Sequence, residues 1–153
     1  MTGQKRKGKR KMLVFKIVIA VIVVIAAGLG IAVICTAPGR NELKNMVIDN
    51  VDFSKLKDGT YIGEYAGAKD SFRNAKVQVT VKSGKVTDIE VTGGSLAGDK
   101  QSAKLGEVYT IKDLFDRVIK AQSLQVDVIT SATLTSNAHL KAVENALEEE
   151  PEK

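Results

Sequence analysis

The sequence predicts an α+β fold: a small antiparallel β-meander packed with C-terminal helices, preceded by one N-terminal transmembrane helix. Three observations predict it. An uncharged, almost wholly apolar run at residues 17–35 follows a block of basic residues. Segments rich in β-formers or alternating with period two occupy residues 60–65, 77–81 and 86–92. After residue 110 the apolar residues recur at helical spacing in two separate stretches.

The apolar run reads IVIAVIVVIAAGLGIAVIC. A bilayer core needs roughly 20 such residues as a helix. Residues 12–15 extend the run beyond Lys16, which lies near the end and can reach the headgroups. No face of the run is polar, which argues against a core helix of a soluble protein. By the positive-inside rule the basic end stays in the cytoplasm, and the chain from about residue 36 lies outside it. The span is longer than a signal-peptide core. Pro38 directly after Cys35-Thr36-Ala37 makes a poor cleavage site, and Ile34 before Cys35 does not suit a lipidated cysteine. Cys35 reads as a small apolar residue at the membrane edge. Ala26 with Gly30, and Gly28 with Ala32, have a spacing that permits close helix pairing.

The chain divides into a basic cytoplasmic tail (1–11), a transmembrane helix (12–35), a linker or stalk (36–56), a folded domain (57–148) and an acidic tail (149–153). Pro38-Gly39-Arg40-Asn41 is expected to break the first helix. Asp58-Gly59 signals a turn before Thr60-Tyr61-Ile62-Gly63-Glu64-Tyr65. Val77, Val79 and Val81 share one face, Ser83-Gly84 makes a tight turn, and the returning strand turns Ile89 and Val91 inward. Residues 93–104 read as a polar loop. Thr110 with Asp113 resembles a capping box, followed by Leu114, Phe115, Val118 and Ile119 on one helix face. A short apolar strand, 124–129, holds Asp127, and the last helix is expected to start near Thr135 or Ser136. The acidic end is expected to fray in solvent.

Composition excludes several functions. The 153 residues suffice for one ordinary domain. One cysteine excludes an internal disulfide framework, and one histidine excludes a His-rich metal site. A Ser-His-Asp hydrolase would rest on His139, which reads instead as a surface or helix residue. Of the 23 Lys and Arg, seven lie in residues 1–16, leaving 16 basic against 18 acidic groups elsewhere. The basic balance therefore belongs to the tail, and no nucleic-acid partner is expected.

The chemistry lies in Val126-Asp127-Val128-Ile129-Thr130-Ser131-Ala132-Thr133-Leu134-Thr135-Ser136-Asn137. An acid in an apolar segment leads into five Ser/Thr within seven residues and then into a helix. Free N–H groups at a helix start, with hydroxyls around them, favour a phosphate. An ordinary helix cap is the bland alternative. One cap needs one hydroxyl, and five exceed that need.

Together with two earlier blocks, this run resembles the extracytoplasmic FMN-binding domain family. Such domains occur in the sodium-pumping NADH:quinone reductase and in the Rnf complex. The short stand-alone members with one membrane helix are the more similar. The blocks are Lys57-Asp58-Gly59-Thr60-Tyr61-Ile62-Gly63, the hairpin from Val77 to Ile89, and Asp127 to Ser136 with Ala142-Val143-Glu144-Asn145-Ala146-Leu147. Ser131 stands where the family usually has Gly. The resemblance implies FMN joined through its phosphate to Thr133, by a flavin transferase that uses FAD and magnesium. Asp127, Thr130, Ser131 and Ala132 match the rest of that motif, with Thr135 and Ser136 near the helix start.

The function this implies is a membrane-anchored, extracytoplasmic flavoprotein, an electron carrier more than a stand-alone enzyme. A redox donor and acceptor, protein or quinone, are its expected partners. Non-covalent FMN binding and a flavin-free anchored scaffold are the alternatives. Tyr61, Tyr65, Phe72, Tyr109 and Phe115 are the candidates to pack on the ring, and Lys100 and Lys104 to approach it.

Overall fold

A computed structural model describes residues 3–69, 71–149 and 151, with the side chains of residues 3–11, 32, 33, 35 and 36 outside the described set. The roles expected of the basic tail's side chains, of Ala32 and Cys35, and of Glu150 and Glu152 lie outside the described residues. The chain forms two units, Met1–Pro38 and Gly39–Lys153.

Helix α1 spans Gly3–Lys44. Its stretch Met12–Ile31 has a mean hydropathy of 2.9 and is nowhere buried. Large apolar side chains from Met12 to Ile31 are exposed around the whole helix. This is a helix long and apolar enough to cross a membrane, and it is not the core helix of a soluble fold.

The break expected at Pro38 does not occur, because α1 continues to Lys44. A proline inside a helix loses one hydrogen bond and crowds a carbonyl. Tertiary contacts of the turn after it offset that cost. Leu43 is buried, Asn137 Nδ2 donates to Leu43 O at 2.8 Å, and Tyr65 Oη donates to Glu42 Oε1 at 2.9 Å. Phe53, in the short 3₁₀ turn Phe53–Lys55, is buried as well. Much of the 36–56 stretch expected as a stalk therefore belongs to the domain's own packing.

The sheet is the expected meander, β1 (Gly59–Tyr65), β2 (Ala75–Lys82) and β3 (Lys85–Gly94), antiparallel in that order. Tyr61 opposes Val79, and Val79 opposes Ile89. The period of two puts Val77, Val79 and Val81 on the buried face, where each contributes roughly 1.5–3 kcal/mol by leaving water. At the β2–β3 turn Ser83 and Gly84 both have positive φ, 53° and 69°, as a two-residue hairpin requires. The Asp58 carboxylate accepts from both of their N–H groups at 2.8 Å, and these bonds lower its pKa.

Strand β3 is a sheet edge whose backbone is answered by two glutamines. Gln122 bonds Val86 N and O, and the buried Gln101 bonds Val91 N and O. Gln101 lies in a 3₁₀ turn, Gly98–Ser102, within the stretch expected to be irregular loop. An amide side chain donates and accepts at once, so it completes a ladder as a neighbouring strand would.

Helix α2 (Ile111–Ala121) packs against β3 through its buried Ile111, Leu114, Phe115 and Val118. Asp113 Oδ2 accepts from Thr110 N at 2.6 Å and from Thr110 Oγ1 at 2.8 Å, as the capping pattern predicts. Helix α3 (Thr133–Glu148) lies over β1 and β2. It begins two residues before the expected Thr135. Residues 125–129 carry no regular secondary structure and join no sheet, correcting the expected strand.

The closest approach of α3 to the sheet is at Gly63. A Cβ there would strike the Ala142 carbonyl and the Ala146 N–H of α3. We expect Gly63→Ala to lower the unfolding free energy by about 1–3 kcal/mol in urea titrations. An unchanged midpoint would contradict this seat for α3.

Candidate functional site

The site forms where the 125–129 segment turns into α3. Ala132 N donates to Ile129 O at 3.0 Å, closing a turn over Thr130 and Ser131. Ser131 has φ 70°, a left-handed conformation. Such a turn requires positive φ at its third residue, normally glycine's place. Ser131 therefore adopts a geometry that usually calls for glycine, at a cost of about 1–2 kcal/mol.

Ala132 is the N-cap of α3 and has no side chain able to cap. Alanine is among the poorest residues at this position. Ser136 N closes the first helical turn on Ala132 O. The N–H groups of Thr133, Leu134 and Thr135 have no acceptor among the described residues. The helix thus starts with its positive end open, although hydroxyls surround it. A simple capping role for the Ser/Thr run does not describe this arrangement.

The sequence-derived residues separate into groups. Ser131, Ala132, Thr133 and Thr135 line one hollow of about 270 Å³, together with Leu134 and Arg73. Thr133 and Ser131 are exposed there. Thr130 and Ser131 line a neighbouring hollow of about 180 Å³ with Leu105, Glu107, Val108 and Tyr109. Gly106 lets that loop lean on the turn, since a Cβ there would lie 3.1 Å from Thr130 O. Ser136 is fully buried, and its Oγ accepts from Ile129 N at 3.2 Å. It fastens the turn to the helix and lines neither of these two hollows. Asp127 is exposed and lines a different hollow, with Arg117 and Lys120. Arg117 donates to the Asp127 carbonyl and lies 4.9 Å from the Tyr109 ring centre, so it ties the segment to α2 and the loop.

The aromatic candidates divide by exposure. Tyr61, Tyr65 and Phe115 are core residues, whereas Phe72 and Tyr109 are 68% and 46% exposed, and of these two Tyr109 lines the second hollow. Lys100 and Lys104 are exposed and line neither hollow. His139 is a helix residue but not a surface one, at 1% exposure. Its Nδ1 donates to Thr135 O at 2.8 Å, its ring lies 6.3 Å from that of Phe115, and burial lowers its pKa. It backs the first turn of α3 as a neutral side chain.

Sequence reasoning missed Arg73. It precedes β2 in a loop pinned by Asn74, whose Oδ1 accepts from Gly67 N at 3.0 Å. No periodicity marks it, and it meets residues 131–135 only through the fold. From the turn geometry we expect Ser131→Gly to leave stability unreduced in thermal unfolding, and Ser131→Val to lower it by about 1–2 kcal/mol. Equal loss in both variants would contradict the left-handed turn.

Comparison with known proteins agrees with this geometry. Residues 73–148 match the family described as FMN-binding domain. A stretch of 96 residues is 30% identical to a protein of Treponema pallidum (strain Nichols) described only as uncharacterized; it covers 63% of this chain and 24% of that protein. The match to that relative thus spans about a quarter of its length. The open N-terminus of α3 and its hollow fall inside the family match, and the domain they build belongs to the FMN-binding domain family, with FMN as its cofactor.

Proposed function

We propose that this chain is a membrane-anchored extracytoplasmic flavoprotein that holds FMN through a phosphoester on Thr133 and carries electrons. The observation that carries this reading is the open helix start. Three N–H groups without acceptors among the described residues belong to residues that line one hollow, and Thr133, exposed, is among them. The residues fit FMN at both ends. The helix N-terminus suits the phosphate, and the enclosed Arg73 Nη1, which has no hydrogen-bond partner, suits an anion. The neighbouring hollow offers Leu105, Val108 and Tyr109 as an apolar and aromatic wall for the ring.

Attachment needs a hydroxyl that is both fixed and reachable. Thr133 meets both conditions, as the first residue of α3 and an exposed one. In the transfer, its oxygen forms a bond to the FMN phosphorus of FAD as the pyrophosphate bond breaks. AMP leaves, and the hydroxyl proton passes to a base on a magnesium-dependent flavin transferase. The helix dipole stabilises the remaining phosphodiester charge. A tether also keeps the cofactor at high local concentration outside the cytoplasm, where a free one is lost by dilution.

FMN, when bound, accepts two electrons and releases them singly. The chain's residues supply the anchor, the charge balance and the wall. The apolar helix holds the domain at the membrane, and the basic tail orients it with its N-terminus in the cytoplasm. A donor such as a quinol or a dehydrogenase, and a one-electron acceptor such as ferric iron or a second redox protein, fit this placement. A single small domain, Gly39–Lys153, leaves little room for a separate substrate site, which favours a carrier over an enzyme.

The test is to produce the full chain with a flavin transferase and image the denatured membrane fraction under ultraviolet light. A fluorescent wild-type band and a dark Thr133→Ala band are expected. A dark wild-type band, with the transferase active on another target, would refute the covalent link. Yellow native protein would then indicate non-covalent FMN, and colourless protein a scaffold.

A further inference from the structure

We propose that Arg73 is the phosphate ligand of this site, fixing the phosphodiester at Thr133 and making the domain selective for flavins that carry a phosphate. The proposal rests on the Thr133 reading and adds a residue from outside the Ser/Thr run.

Nη1 of the Arg73 guanidinium is closed off from solvent and has no hydrogen-bond partner. A shielded, unbonded N–H is unfavourable, since it has given up water without gaining an acceptor. The side chain is nonetheless held in place. The Asn74 N–H donates to Ser71 O at 3.2 Å, fixing the turn that carries Arg73, and the exposed Phe72 ring centre lies 5.2 Å from Arg73 Cζ. The hollow it lines contains residues 131–135, and none of its described lining residues is a carboxylate. A cation and the positive end of a helix meet there with no negative charge among the described lining residues to balance them. A phosphodiester carries one negative charge and two free oxygens. One oxygen matches the helix N–H groups, and the other matches the planar fork of a guanidinium. Riboflavin, which lacks phosphate, would gain nothing from Arg73.

The test compares wild type, Arg73→Gln and Arg73→Lys as full chains, each checked for native fold by circular dichroism. After loading by the transferase, Arg73→Gln is expected to slow flavin incorporation about tenfold, with Lys restoring part of it. Phosphorus NMR of the loaded, folded protein supplies a readout that a purely structural role would not move. The resonance in Arg73→Gln should shift from its wild-type position toward that of the denatured protein. An unchanged resonance in a folded Arg73→Gln chain would overturn the proposal. If the wild-type band is dark, the covalent reading fails separately, and FMN and riboflavin titrations of the unloaded chain decide the question. A preference for FMN that disappears in Arg73→Gln would support the assignment. Equal affinities in wild type, or no binding of FMN, would overturn it.

Discussion

A bare backbone at Gly63 lets Ala142 and Ala146 of α3 lie against β1 with no side chain between them, and the rest of the site follows from that contact. Seated there, α3 buries Ala138, Leu140, Val143 and Leu147 over the sheet. Its first turn is then carried to the edge of the domain, beside the loop that precedes β2. The second fastening is the bond from Ile129 N to the buried Ser136 hydroxyl. Together they hold the turn at Thr130 and Ser131 against the helix start, so Thr133 is exposed without being loose.

The site's chemistry comes from an omission at the cap. With Ser, Thr or Asp at position 132, the chain would satisfy one of its own N–H groups and gain about 1 kcal/mol. Ala132 leaves them open, and Ser131 bears a left-handed backbone beside it. Both are local losses of stability, which the packing beneath them offsets. An anion at the helix start recovers part of that loss, so cofactor binding and the stability of the first turn are coupled. The same logic extends to Arg73, whose enclosed Nη1 has no hydrogen-bond partner.

Much of the fold was legible because local signals agreed with one another. Valines at period two, the Ser83-Gly84 turn and the Thr110–Asp113 cap each fixed one element, and the structure keeps all three. The departures are places where tertiary contacts override a local rule. Pro38 does not end α1, because Leu43 and Glu42 find partners beyond it. Helix α3 starts at Thr133 and not at a hydroxyl cap, because its first turn closes from Ser136 N onto the carbonyl of Ala132. Within the Ser/Thr run the residue types marked the site, but only the fold separates Thr133, which faces the hollow, from Ser136, which is buried. Arg73 was invisible in the sequence, one cation among 23 and far along the chain from its hollow. Nothing in the sequence told exposed Phe72 and Tyr109 from buried Tyr61, Tyr65 and Phe115.

The most direct measurement is the mass of the tryptic peptide spanning residues 121–141, taken from the chain after production with a flavin transferase. This peptide holds Thr130, Ser131, Thr133, Thr135 and Ser136 together. A peptide heavier by one FMN less one water, with fragment ions that place the addition on Thr133, is the expected result. An unmodified peptide from yellow protein, or the addition on any other hydroxyl, would contradict the assignment of Thr133 as the anchor.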